Sequence, residues 1–337
     1  MPMQPIAETM LTAIENELLE IVTRTREPDH DGLYRMLAYH MGWEGEDIGP
    51  NARGKRIRPL LVLLTTGATG GEWRRALPAA AAVELIHNFS LIHDDIQDNS
   101  PLRRGRPTIW KLWGSAQAIN AGDAIYSLAQ LALLRLEGTS NAEITIQASQ
   151  ILQNACQKLT QGQYLDIAYE LQRGMNLESY WSMIEGKTAA LLAACTELGA
   201  LVGFTEAHIQ KAYHSFGYHL GLAFQVRDDL LGIWGDSLIT GKSTQSDLIS
   251  GKKTLPVLYA LSKNGPFAKR WEQGAITPDE IPALVTQLEV EGARDFTQER
   301  ATEITRKALK ALQAAEVKGE AGEALTNLTE ELLTRQV

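Results

Sequence analysis

An all-α fold, one large helical bundle around a central cavity, is what this sequence predicts. Three observations predict it. Apolar residues recur at three- and four-residue spacing along nearly the whole chain. Strand-like alternation bounded by hairpin turns is essentially absent. Alanine, leucine, glutamate and glutamine, all good helix formers, fill the long segments.

The elements follow in order. Met10–Thr23 carries Leu11, Ile14, Leu18, Ile21 and Val22 on roughly one stripe. Similar stripes run through Pro59–Leu64, Pro78–Ile92, Ala116–Leu136, Ala142–Gln163, Leu177–Leu201, His208–Trp234 and Leu255–Leu261, and Ala301–Ala314 and Ala321–Leu333 close the chain. Breaks are expected at the glycine-rich Thr65–Glu72, at Glu137–Asn141, and at Gly235–Pro256, the longest irregular stretch. Long loops in compact proteins are often functional. No low-complexity tail or linker stands out, so the 337 residues read as one domain.

Composition narrows the function. The apolar fraction of 44% is ample for a core, and a net charge of −9 argues against a general nucleic-acid surface. An anionic substrate would need a local basic patch. Cys156 and Cys195 are the only cysteines, too few for a disulfide framework, and read as thiols without chemistry. Met1–Glu20 does not read as a signal peptide, and no apolar run reaches the length of a membrane span. A cytoplasmic protein is expected.

Four clusters carry chemistry. In His93-Asp94-Asp95-Ile96-Gln97-Asp98, helical spacing puts Asp94 and Asp98 on one face and turns Asp95 about 100° away. Two carboxylates on one face repel and call for a cation. Hard oxygen ligands at this spacing suit Mg²⁺, which keeps some waters and takes further oxygens from phosphates; the alternative is a solvated acidic helix end. Next comes Leu102-Arg103-Arg104-Gly105-Arg106-Pro107, whose guanidinium groups suit a diphosphate or, alternatively, a surface ion-pair patch for the three aspartates. Gly54-Lys55-Arg56-Ile57-Arg58-Pro59 places Lys55 and Arg58 three apart, able to converge on one anion, with Pro59 fit for a first helical turn. Phe224-Gln225-Val226-Arg227-Asp228-Asp229 ends a long apolar stretch with a second aspartate pair, echoing the first, and Lys242, Lys252 and Lys253 follow. Glu185-Gly186-Lys187-Thr188-Ala189 adds a lysine that either snorkels or faces a polar cavity. Taken by themselves, His87, His93, His208, His214 and His219 read as core histidines.

With these motifs in this order, the chain resembles the trans-isoprenyl diphosphate synthase (polyprenyl synthetase) family. GKRIRP, HNFSLIHDDIQD, LRRGRPT, AGD at Ala121–Asp123, GQYLD at Gly162–Asp166, EGKTA, FQVRDD and GKKTLP all match, from about Gly54 to Leu258. The resemblance implies the isoprenoid synthase fold and a magnesium-dependent prenyltransferase joining isopentenyl diphosphate to an allylic diphosphate. It implies three Mg²⁺ ions with substrate bound, held by Asp94, Asp98 and Asp228 and supported by Asp95 and Asp229. Arg103, Lys187 and Lys242 would hold the allylic diphosphate, and Thr188 and Gln225 would line its site. Lys55, Arg58, His87 and Arg104 would hold isopentenyl diphosphate. A homodimer is the family's habit. Phe89, five residues before Asp94, stands where the family sets product length, and C20 geranylgeranyl diphosphate is the expected product, with C15 farnesyl diphosphate as the alternative. Gly232 departs from the family, standing where an aspartate often follows the second pair. A class I terpene cyclase is disfavoured by Lys55, Arg58, His87 and Arg104, and a non-catalytic subunit by the intact first motif.

Overall fold

The computed structural model describes residues 4–171, 176–235 and 246–334. In order, the helices are α1 (Pro5–Thr23), α2 (Asp31–His40), α3 (Pro50–Arg53), α4 (Ile57–Ala68), α5 (Leu77–Gln97), α6 (Ile109–Leu134), α7 (Leu136–Thr139), α8 (Ala142–Leu171), α9 (Leu177–Ile184), a π-helical turn (Glu185–Ala189), α10 (Ala190–Val202), α11 (Ala207–Trp234), α12 (Ser246–Ile249), α13 (Leu255–Ser262), α14 (Pro266–Trp271), α15 (Ile281–Val290), α16 (Ala293–Ala314) and α17 (Gly319–Thr334). The described strands are two residues each, β1 (Leu102–Arg103) and β2 (Arg106–Pro107), paired antiparallel. The fold is all-helical, as the sequence predicts.

Backbone contacts divide the chain into two compact units. The first comprises the described residues of Met1–Gln153, Cys195–Gln210 and Glu316–Leu325; the second comprises those of Asn154–Ala194, Lys211–Ala315 and Thr326–Val337.

In the first unit α5 is central, packed against α1, α4 and, most extensively, α6. Its segment Pro78–Ile86 is buried throughout, because small alanines allow neighbouring helices close on every side. Helix α4 runs through Ala68, so the glycine-rich break expected at Thr65–Glu72 shrinks to its last four residues. Thr65 and Thr66 are fully buried, and the Thr66 hydroxyl donates to the carbonyls of Val62 (3.1 Å) and Gly199 (3.0 Å), so their polarity does not end the helix. The break expected at Glu137–Asn141 likewise holds a helical turn, α7. Within α6, Gly114 adopts φ 81°, ψ 160°, and the regular helix resumes beyond it, near the expected start.

In the second unit, Ile233, Leu248, Val257, Phe267, Ile281, Leu284 and Leu288 form a shared apolar core. Helix α13 packs on α16 and on α9. Cys156 and Cys195 are both buried free thiols, and burial pushes Cys195 up to about 12. His208 is exposed beside Glu206, which corrects its reading as a core histidine. No helix among the described residues is long and apolar enough to cross a membrane.

Candidate active site

The first unit builds its cluster at the C-terminal end of α5. Asp98 sits just past the last helical residue, but its N–H still donates to the Asp94 carbonyl (2.8 Å), so the one-turn relation between the two carboxylates survives. The chain then reverses through Arg104 and Gly105, at φ 54° and 78°. Two successive positive φ angles are what a two-residue hairpin turn demands. The reversal returns Arg103 to α5. Its Nε donates to Asp95 Oδ1 (2.8 Å) and Oδ2 (2.9 Å), and its Nη2 lies 2.7 Å from Asp95 Oδ1 and 3.5 Å from Asp94 Oδ2. Burial raises Asp95, and the bound Arg103 opposes the rise. Asp95 therefore aims Arg103, whereas Asp94 is only half-buried and Asp98 is exposed.

Arg58, on the first turn of α4, has its Nη1 3.3 Å from His87 Nε2. Burial, then Arg58, Arg104, Arg103 and Arg56, holds His87 well below the usual histidine range. It is neutral, and because a guanidinium only donates, Nε2 is the acceptor and the proton resides on Nδ1. Arg104 Nη1 donates to the Ala52 carbonyl (2.9 Å); burial lowers its pKa, Glu84 opposes, and Arg56, Arg103 and Arg58 add to the lowering. Lys55 is exposed and lies before the helix, ahead of its left-handed N-cap Arg56. The helical spacing expected between Lys55 and Arg58 therefore does not exist.

Beneath these groups lies a lattice that the sequence reading missed. Arg56 is buried and donates to Glu15 (2.6 Å), Glu84 (2.8 Å) and the Met41 carbonyl (3.2 Å). Asn88 Nδ2 donates to the Glu84 carboxylate (2.9 Å), and Trp43 Nε1 to Glu15 (3.0 Å). The available signal was Glu84, a charged residue inside the apolar approach to the aspartate motif. Arg106, expected with its neighbours around a diphosphate, instead donates to the carbonyls of Tyr39 (3.0 Å) and Glu44 (2.6 Å) and lies over the Tyr39 ring. It clips the loop after α2 to the hairpin. Phe89 lies against the Tyr126 ring (5.2 Å between centroids) and the His93 ring (4.8 Å), and the Tyr126 hydroxyl donates to Gln153 (2.9 Å).

The second unit builds its cluster on α11. Asp229 is buried and fully engaged. It accepts from the Tyr180 hydroxyl (2.7 Å), the Leu255 N–H (2.9 Å) and Gln225 Nε2 (3.0 Å). Burial and Asp229 raise Tyr180 well above the ordinary tyrosine range. The Thr188 hydroxyl donates to Gln225 Oε1 (3.0 Å), extending the chain of bonds to the π-helical turn. Lys187, on the same turn, donates to Asp166 of α8, and Lys253 donates to the Tyr169 carbonyl. Asp228 is half-buried beside Asp229. Gly232 falls inside α11. Lys242 lies outside the described residues.

The donor chemistry suits a hard divalent cation. Asp94 and Asp98 offer carboxylate oxygens one turn apart, and Asp228 offers another in the second unit. No group of three or more His, Cys, Asp or Glu side chains among the described residues forms a ready cage. Mg²⁺ does not need one, since it is ordinarily held by one or two carboxylates together with phosphate oxygens and waters.

Comparison with known proteins agrees with the motifs. The profile of the Polyprenyl synthetase family matches residues 48–284. The (2E,6E)-farnesyl diphosphate synthase of Mycobacterium tuberculosis is 40% identical over 318 residues, covering 89% of this chain and 88% of that one. The geranylgeranyl diphosphate synthase of the same organism is 38% identical over 302 residues, covering 88% and 85%. Among solved structures, a polyprenyl synthetase from Streptomyces coelicolor A3(2) superposes with TM-score 0.86 at 36% identity, covering 96% of this chain and 98% of that one. A geranylgeranyl pyrophosphate synthetase from Pyrococcus horikoshii Ot3 does so with TM-score 0.88 at 32% identity, covering 98% and 97%. With the profile spanning most of the chain and relatives alike over nearly all of it, the chain belongs to the polyprenyl synthetase family.

Proposed function

We propose that this protein is a short-chain trans-prenyl diphosphate synthase that condenses isopentenyl diphosphate with an allylic diphosphate, and that its product is C20 geranylgeranyl diphosphate. The observation that carries the reading is the cluster on α5 and the hairpin: a carboxylate pair one turn apart, with Arg103 locked beside it and Arg58 seated on a neutral His87.

In this reading Lys55, Arg58, His87 and Arg104 bind the diphosphate of isopentenyl diphosphate. Neutral His87 takes a hydrogen bond from Arg58 and so orients the guanidinium without competing for the anion. Arg103, Lys187 and Lys242 bind the allylic diphosphate, while Thr188 and Gln225 line the allylic chain's reacting end. Magnesium held through Asp94, Asp98 and Asp228 would supply charge neutralisation for the leaving pyrophosphate. The basic side chains add fixed positive charge where negative charge grows as the allylic C–O bond breaks. The double bond of isopentenyl diphosphate then attacks the allylic carbon, and a proton leaves the adduct. His87 is already an acceptor for Arg58, so the departing pyrophosphate takes that proton. A cytoplasmic homodimer completes the proposal.

Two observations support a short product. The relatives that match over most of the chain bear the names of both C15 and C20 synthases. Phe89 is a bulky ring held in place by Tyr126 and His93.

The test is incubation of purified protein with Mg²⁺, isopentenyl diphosphate and dimethylallyl, geranyl or farnesyl diphosphate, with products separated by chain length. Elongation to C20 is expected. A stop at C15 corrects the length alone. Consumption of an allylic diphosphate without isopentenyl diphosphate would replace the synthase reading with a cyclase. Phe89→Ala is expected to lengthen the product; an unchanged length removes Phe89 from the gate.

A further inference from the structure

Lys187 occupies an unusual stretch of backbone. Glu185–Ala189 is π-helical, between two ordinary helices. A π-turn carries an extra residue, so it re-aims side chains that a regular α-helix would stack, and such turns concentrate at functional sites. Here it sends neighbouring side chains to different partners. Thr188 reaches Gln225 on α11, while Lys187 reaches Asp166 on α8.

The contact with α8 is built backbone to backbone. A Cβ on Gly162 would sit 2.1 Å from the Lys187 nitrogen, and a Cβ on Gly186 would sit 2.6 Å from the Lys158 carbonyl oxygen. Neither position admits any side chain. Asp166 follows Gly162 by one helical turn, so it shares the face that meets the π-turn. Two glycines thus set the depth of the contact, and Asp166 sets what Lys187 meets there. Both side chains are partly shielded, at 29% exposure for Lys187 and 26% for Asp166. A charge-assisted bond in such a setting is stronger and better aligned than one in open water.

We infer that Asp166 is a positioning residue for Lys187: it fixes the ammonium group of the π-turn lysine so that it is already in place when the allylic diphosphate arrives. The inference rests on the role proposed above for Lys187 and adds to it. An ammonium has three N–H donors, and engaging one with Asp166 fixes the stem while the group stays protonated. A flexible lysine would otherwise lose side-chain entropy on binding, and holding it in advance lowers that cost.

The test compares Asp166→Asn, Asp166→Glu and wild type in two ways. In steady-state assays, Asp166→Asn should raise KM for the allylic diphosphate roughly tenfold, about what weakening one charge-assisted bond does. KM for isopentenyl diphosphate should stay within about twofold, a difference too small to signal a lost bond. Asp166→Glu, which keeps the charge, should recover part of the loss. Separately, the rate at which an amine-reactive ester labels Lys187, read by peptide mass spectrometry, should rise several-fold in Asp166→Asn relative to Lys158 in the same sample. This second measurement needs no turnover. If wild type elongates nothing but the labelling contrast appears, the coupling of Asp166 to Lys187 stands and the synthase reading falls. Wild-type labelling of Lys187 in Asp166→Asn, or an equal rise in KM for both substrates, overturns the inference. Asp166→Asn is nearly isosteric and should fold; a matching circular dichroism spectrum and Tm establish that the comparison is fair.

Discussion

The two aspartate pairs look alike in sequence and are built alike only in part. In each, the second aspartate is buried and the first is half-buried. Asp95 faces a cation, with Arg103 held against both of its oxygens. Asp229 accepts from a tyrosine hydroxyl, a glutamine amide and the first backbone N–H of α13. The same dipeptide therefore does two jobs. Asp95 spends its charge on aiming an arginine beside Asp94, whereas Asp229 ties two separate segments, α9 and the start of α13, to α11. The difference teaches that a repeated dipeptide can bury its second residue in both places and still give it different partners.

The sharpest way to break this comparison is to remove the first aspartates. Asp94→Ala should lower kcat by roughly 10²–10³, as loss of a principal electrostatic stabiliser does. A circular dichroism spectrum and Tm on the same variant check that it folds; Asp94 is half-buried, with Oδ2 3.5 Å from Arg103 Nη2. Near-normal turnover in the Asp94→Ala variant would reject the metal role. The second aspartates should separate next. Asp229→Ala leaves a buried Tyr180 hydroxyl, a glutamine amide and a helix N–H without their acceptor, and should cost about 3 kcal/mol or more of stability. Asp229→Asn should cost only about 1 kcal/mol. The Gln225 amide can turn over to accept from the new asparagine and give its N–H to Thr188. Asp95→Asn should do the reverse. Burial already works against the Asp95 charge, so stability should move by less than about 1 kcal/mol, while turnover falls about tenfold or more as Arg103 loses its anchor. Denaturation curves and kinetics on the same three preparations decide it. Equal stability losses in Asp95→Asn and Asp229→Ala would erase the distinction.

Much of this was legible from residue spacing, and the misses have physical causes. The long stripes in α1, α8 and α11 are visible because each must bury one face for many turns, and α5 is visible as an alanine-rich apolar run. Helices α2 and α15 were not anticipated, since each is short and surface-lying; Gly32 and Pro282 interrupt their patterns. Thr65 and Thr66 read as loop residues because threonine favours turns in water, but here both are buried, and the Thr66 hydroxyl is bonded to carbonyls. The aspartates, Arg58, Arg103, His87 and Lys187 were each picked out by motif. What spacing could not show is the partner list: Glu15 and Asp166 are 41 and 21 residues away from the cations they bind. Arg106 shows the opposite error. It has the right charge in the right motif, yet its donors are consumed by carbonyls. The close approach of the π-turn at Glu185–Ala189 to α8 has no signature in composition, because it depends on two glycines, Gly162 and Gly186, that meet only in the fold.

A buried histidine beside the arginines of the first cluster has a consequence for acid stability. His40 lies among Arg104, Arg103 and Arg56. Burial first, and then those three cations, lower its pKa to about 3, with Asn88 opposing. The unfolded chain has an ordinary histidine near 6.5. Between those values the unfolded state binds the proton and the folded state does not, so stability is fully present above pH 6.5 and is lost as pH falls toward 3. From pH 7 to pH 5 this one group accounts for at most about 2 kcal/mol. His87, depressed for the same reasons, adds in the same direction. His40→Gln keeps a polar side chain and removes the titration, so its Tm should fall less than the wild-type Tm between pH 7 and pH 5. The difference should be a few degrees, at ~2–4 °C per kcal/mol for domains of this size. Scanning calorimetry at the two pH values reads it directly. A His40→Gln variant whose acid-induced loss of Tm equals that of wild type would show that His40 does not contribute to the acid limit of the fold.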